Sequence, residues 1–244
     1  MVPFADQASR GCSTPSDLAL ALAAEFVPVR PARADRALDE LAAWLAGARD
    51  GDPVDQLRAL ADLAGAYLEP VVLSSAIDDL LFNRVAPEGA GHPLLLAIAC
   101  SEAARRAGLP VGIVAGADGA FVAHRELAEP LLVDPARGAL RDPATLRSPV
   151  SWQCCHQVAA RILNRIGERA ERVGHVCWAL RAAQLRLALP FEAQTRERLE
   201  AELRRVRARL NQREPAGAEP GPAPTGLPTA WREGLNVGVE ARPP

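Results

Sequence analysis

Through the first third of the chain, apolar residues return every three or four positions, the period of an amphipathic helix. Leu18, Leu20, Leu22 and Phe26 predict one helix, with Ser16 and Asp17 placed to cap it. A second is predicted over 34–48, carrying Leu38, Leu41, Trp44 and Leu45 at helical spacing. A third, over 53–67, is expected to bury Leu57, Leu60, Leu63 and Tyr67. Pro53 falls in its first turn, where a missing N–H is tolerated. Residues 74–82 suit one further short helix. The segment 91–110, GHPLLLAIACSEAARRAGLP, is apolar on nearly every face as far as Cys100, so it predicts a buried central helix. Arg105 and Arg106 complement its negative C-terminal end, Gly108 suits a left-handed cap, and Pro110 blocks continuation.

The period then changes. Residues 111–115, 120–124 and 131–134 read as strands, and Gly116-Ala-Asp-Gly119 supplies a turn, so an antiparallel meander is expected. From Ser151 the helical period returns. Val158, Ile162, Leu163 and Ile166 form one stripe, and Val176, Ala179, Leu180 and Leu185 another, with a break at Gly174. Pro190 ends the second helix, and a third, rich in Arg and Glu, follows over 191–210. A hairpin plus one helix has the spacing of a single tetratricopeptide-like unit, which cannot bury its own face and must pack on the preceding domain. The fold class is therefore α+β: helices, a small antiparallel sheet, then a helical appendix.

Composition narrows the partners. The 244 residues hold 28 basic and 30 acidic side chains, and every basic one is arginine. A net charge of −2 gives no field favouring nucleic acid or an anionic membrane, and no lysine is available for Schiff-base chemistry. No run of ~18 apolar residues occurs. Five irregularly spaced cysteines without an export signal point to reduced thiols and a cytoplasmic setting. Residues 1–15 are expected to be loose. Residues 211–244 hold seven prolines and five glycines, a low-complexity tail whose only bulky cluster is Trp231 and Leu235.

Gly91, Pro93, the run 103–110, Gly119-Ala-Phe-Val122 and Val133-Asp-Pro135 together, in this order and spacing, resemble the transglutaminase-like superfamily. Leu163-Asn164, Gly174, Trp178-Ala-Leu180 and Pro190 look like its bacterial branch of SirB-type regulators, which carries tetratricopeptide-like C-terminal helices. The resemblance runs over roughly 16–210, as a transglutaminase-like domain over 16–148 and a helical appendix over 149–210. It implies a papain-like core: a Cys at the start of the central helix attacks an amide, a His on the next strands is the base, and an Asp orients it. A helix N-terminus lowers a thiol pKa, and a nearby imidazole keeps the thiolate paired. In this chain the resemblance puts the Cys position on Pro93, or on Leu94 if the alignment slips by one, the His position on Ala120, and only the Asp survives, as Asp134. The resemblance thus implies a pseudoenzyme whose former cleft (His92, Pro93, Ala120, Asp134) serves as a binding groove.

Stand-ins are few. Cys100 lies seven residues into the helix, about 10 Å from its first turn, where burial raises a thiol pKa. His124 shares a strand face with position 120 but sits about 13 Å along it. His92 is better placed, as a cap-region imidazole or as the base of an altered chemistry together with Asp134. Asp134, before Pro135, also suits a turn. The triplets Cys154-Cys155-His156 and His175-Val176-Cys177 hold zinc-type ligands, yet a hairpin turning near Gly174 separates them by roughly 25 Å. No metal and no cofactor are expected. The expected function is a non-catalytic regulatory module binding a protein or peptide; the alternative is a diverged hydrolase or transferase using His92 and Asp134.

Overall fold

The computed structural model describes residues 2–11, 13–71, 76–129 and 131–213. Six helices come first: α1 (Phe4–Ser9), α2 (Pro15–Ala24), α3 (Pro31–Leu45), α4 (Pro53–Tyr67), α5 (Phe82–Glu88) and α6 (Pro93–Arg106). Two short strands, β1 (Glu69–Pro70) and β2 (Ala90–Gly91), pair in parallel between them. The α+β class holds. α6 is the central helix, with every residue from Leu94 to Cys100 buried.

Two N-terminal expectations change. The first residues are not loose: Phe4 is completely buried, and its N–H donates to Glu25 Oε1 at 3.2 Å. The cap of α2 is Thr14, whose hydroxyl accepts the Asp17 N–H, rather than Ser16 or Asp17. Pro15 then occupies the first helical position, where its fixed φ is already helical. The short helix expected over 74–82 begins later. Asp78–Leu80 forms one 3-10 turn and α5 follows it; residues 74 and 75 lie outside the described residues.

The sheet holds more strands than the meander predicted. β3 (Val111–Ala115), β4 (Ala120–His124), β5 (Leu132–Asp134), β6 (Ala139–Arg141) and β7 (Ser151–Trp152) run in the order β6-β5-β4-β3-β7, all pairs antiparallel. β6 and β7 escape the periodic reading because neither has a buried alternating face. One sheet face packs Ile113, Ala120, Val122 and Val133 into the main core; the other buries Val114, Phe121, Ala123 and Leu132 in a smaller cluster.

α7 (Cys155–Val173), α8 (Val176–Arg186) and α9 (Ala193–Arg213) complete the described chain. α7 and α8 turn at Gly174, as the break in the stripe predicts. The appendix packs on the domain before it. Trp178 meets Phe26 with ring centroids 5.1 Å apart, Arg181 pairs with Glu25, and Arg169 donates to the Ala76 carbonyl at 2.6 Å. Glu202 on α9 pairs with Arg186 on α8, not with the arginines of its own helix. The tail expected from 211 starts no earlier than 214, since α9 runs to Arg213; the rest of it, with Trp231, lies outside the described residues. Among the described residues no helix is long and apolar enough to cross a membrane.

Candidate functional site

Two backbone constraints set the start of α6. Gly89 has φ +67°, and a Cβ there would lie 2.4 Å from the Tyr67 carbonyl oxygen. A Cβ on Gly91 would lie 2.3 Å from a Val85 methyl, so only glycine lets the chain pass α5 this closely. His92 is the N-cap residue. Its N–H donates to the Asp79 carbonyl at 3.0 Å, and its Nδ1 accepts the Leu94 N–H at 3.2 Å. Pro93 is the first helical residue. Burial, with help from Arg165 and Arg169 against a weaker opposite pull from Asp79, pushes the His92 imidazole down to about 4. Near neutral pH it is an uncharged cap and a weak base.

The other two positions expected in the cleft lie on strands of the sheet. Ala120 is 7% exposed and faces the main core. Asp134 alternates with core-facing Val133, on the side of Leu132. Its Oδ1 accepts the Ala136 N–H at 3.2 Å, and its Oδ2 lies 3.5 Å from Arg141 and 3.7 Å from Arg137. Among the described residues His92 and Asp134 share no hydrogen-bond or ion-pair partner. Strand alternation puts positions 120 and 134 on opposite faces of the sheet.

The remaining candidates are structural. Cys100 is completely buried, and burial pushes its thiol up to about 12. His124 is 3% exposed. Its Nδ1 accepts the Glu126 N–H at 3.1 Å, so the proton sits on Nε2 and is donated to Gln56 Oε1 at 3.0 Å. Gln56 in turn donates to the Arg49 and Gly51 carbonyls. Burial lowers the His124 pKa despite Glu126, and the network has a use for the neutral ring only. The cysteine–histidine triplets stand at opposite ends of α7, and His156 Nε2 lies 3.0 Å from the Ala8 carbonyl, to which it donates. Among the described residues no three His, Cys, Asp or Glu side chains gather as a metal site would need.

A hollow lies elsewhere in the fold. A groove of about 310 Å³ runs between α3, the end of α4 and the end of α5, lined by Leu41, Trp44, Tyr67, Leu68, Ala86 and Pro87, with Glu40 and Glu88 at its rim. Periodicity misplaces its two rings, since both fall on apolar stripes expected to be buried. Trp44 is 43% exposed and Tyr67 52% exposed. Leu45 and Leu68 take the buried places beside them. The rings meet edge to face, centroids 6.2 Å apart. Neither rim carboxylate has an ion-pair partner among the described residues. No sequence signal marks this groove, because α3, α4 and α5 must be assembled before it exists. A smaller cavity of about 60 Å³ lies between the appendix helices, lined by Val176, Ala179 and Val206. No family model, curated protein or solved structure matches the chain.

Proposed function

We propose that the chain is a non-catalytic, transglutaminase-like regulatory module that binds a protein or peptide, using the Trp44–Tyr67 groove as its contact surface. The observation that carries the reading is the start of α6. Acyl transfer through a thioester needs an activated thiolate and a base within reach. Pro93 offers no thiol, Ala120 no proton acceptor, and Asp134 is engaged by Ala136, Arg137 and Arg141. The groove supplies what a binding module needs: two exposed rings, aliphatic walls and a carboxylate rim.

Two measurements test it. Incorporation of a labelled amine into glutamine peptides, with and without calcium, stays at background. Co-purification from the native cell retains a partner on the unaltered chain and loses it on the Trp44→Ala/Tyr67→Ala chain. Activity that disappears in folded His92→Ala or Asp134→Asn chains would defeat the reading in favour of a diverged hydrolase or transferase.

A further inference from the structure

We infer that the groove takes an arginine: a segment of the partner protein inserts one arginine side chain, with its guanidinium against the Trp44 and Tyr67 rings and beside the carboxylates of Glu40 and Glu88. The inference rests on the reading of the groove as the contact surface and adds the chemistry of what enters it.

The lining is one-sided in charge. Glu40 on α3 and Glu88 on α5 stand exposed at the rim. Among the described residues neither has an ion-pair partner, and no basic residue lines the groove. Two helices also end there. Tyr67 is the last residue of α4 and Glu88 the last of α5, and neither helix has a basic residue in its last turn. The partial negative charge of both ends is thus left without a compensating side chain of their own. Elsewhere on α3 the acidic residues are paired, since Arg106 holds both Asp35 and Asp39. A groove with carboxylates, helix C-terminal ends and no cation of its own favours a positive occupant.

The rings make that occupant an arginine. Trp44 and Tyr67 are exposed and stand at 75° to each other, so a flat group laid on one is bounded by the other. A guanidinium is planar, stacks on aromatic faces and is more weakly hydrated than an ammonium, so it gives up less on entering a half-apolar groove. Its fork of N–H donors still reaches a carboxylate at its edge. The chain uses the same pairing elsewhere, where the Arg125 guanidinium lies 5.0 Å from the Trp152 ring centroid. Among the described residues no arginine takes that place on Trp44 or Tyr67. Leu41, Leu68 and Ala86 form apolar walls that suit the methylene stem. At about 310 Å³ the groove is at the small end of ligand sites, with room for one long side chain and not for a folded surface.

Indole N–H signals in NMR spectra read the contact on the full chain. The chain holds four tryptophans, and the Trp44 signal is the one that Trp44→Phe removes. The probe is a blocked Gly-Gly-Arg-Gly-Gly peptide, compared with the same peptide carrying citrulline, its uncharged isostere. The Trp44 signal should shift saturably with the arginine peptide, and the citrulline peptide should bind about 10-fold more weakly. Glu40→Gln/Glu88→Gln, with its fold checked by circular dichroism, should weaken binding of the arginine peptide about 5-fold and leave the citrulline peptide unchanged. Equal affinity for the two peptides, or an arginine affinity that the glutamine variant does not lower, would overturn the inference. Tetramethylammonium binding more tightly than the arginine peptide assigns the groove to a small quaternary cation and overturns the arginine claim. A dimeric mass that Trp44→Ala/Tyr67→Ala abolishes assigns the groove to a second copy and overturns the external partner. A co-purified partner lost from the Trp44→Ala/Tyr67→Ala chain but kept by the Glu40→Gln/Glu88→Gln chain removes the arginine while the groove reading stands. A partner kept by both variants removes both.

Discussion

The two ends of α6 use their polar residues in opposite ways. At the C-terminal end, Glu102 is 4% exposed and takes a bidentate contact from Arg105 at 2.9 and 2.7 Å and a third bond from Arg106 at 2.8 Å. Arg106 continues to Asp35 at 2.9 Å and Asp39 at 2.7 Å, fastening the central helix to α3. Burial alone would raise the Glu102 pKa, but the two arginines outweigh it and hold the carboxyl below its ordinary value. At the N-terminal end stand a neutral cap, His92, and a proline, Pro93. The helix carries its charged side chains at the C-terminal end, where they attach it to α3. Arg105 and Arg106 look in the sequence like dipole partners, yet their main role is to satisfy a buried carboxylate.

Four measurements break or sharpen this contrast. The largest effect belongs to Glu102→Ala, which leaves two arginines without their shared acceptor. A loss of about 2–4 kcal/mol is expected, lowering Tm by roughly 4–16 °C. A Tm within two degrees of the unaltered chain would mean that Asp35 and Asp39 suffice, and that the two ends differ less than the geometry says.

Acid acts on the opposite end and on the sheet. His92 and His124 both have lowered pKa values, so the unfolded chain binds their protons first and stability rises with pH across the window. Their contribution is complete above about pH 6.5 and is lost as the pH falls toward about 4. A fall of about 1–2 kcal/mol between pH 7 and pH 5 is expected from urea midpoints. His92→Gln should flatten part of that slope, whereas a slope unchanged in both His92→Gln and His124→Gln would remove the neutral-imidazole account.

Smaller changes follow at Pro93 and in the groove. Pro93→Cys, alone or with Ala120→His, should leave amine incorporation at background, because Asp134 faces the other side of the sheet and no shell supports the new groups. Measurable turnover in the double variant would show the three positions to be closer to a working site than their strand faces imply. Smallest of all, Trp44→Ala should shift stability by no more than about 1 kcal/mol in thermal melts, since the ring is 43% exposed. A shift of several kcal/mol would make the ring part of the core and not of a surface.

Much of this contrast is legible in the chain itself. The central helix, three of the strands and the hairpin follow from periodicity because their apolar faces are long and regular. The absence of a thiol at Pro93 and of an imidazole at Ala120 needs no structure at all. What escapes is whatever depends on elements far apart in sequence meeting. The burial of Glu102, and the link from its arginine Arg106 to Asp35 and Asp39, depend on α3 packing against α6. Trp44 and Tyr67 read as core, because a stripe shows which side of a helix is apolar and not how much of that side its neighbours cover. Phe4 falls among residues expected to be loose, and only its packing beside α2 shows otherwise. Asp134 reads as a surviving catalytic residue until strand register turns it away from position 120.

The packing of α7 and α8 on α2 bears on how the protein is made. Glu25 and Arg181 stand 156 positions apart, and Phe26 meets Trp178 across a similar stretch. At about 5–20 residues per second, the ribosome exposes the apolar side of α2 for about 8–30 seconds before its cover is synthesised. During that interval α1, α5 and α6 can pack on α2, and the part of its surface that α7 and α8 cover stays open. A holdase binding Leu18–Phe26 on chains stalled before α7 would act on that interval.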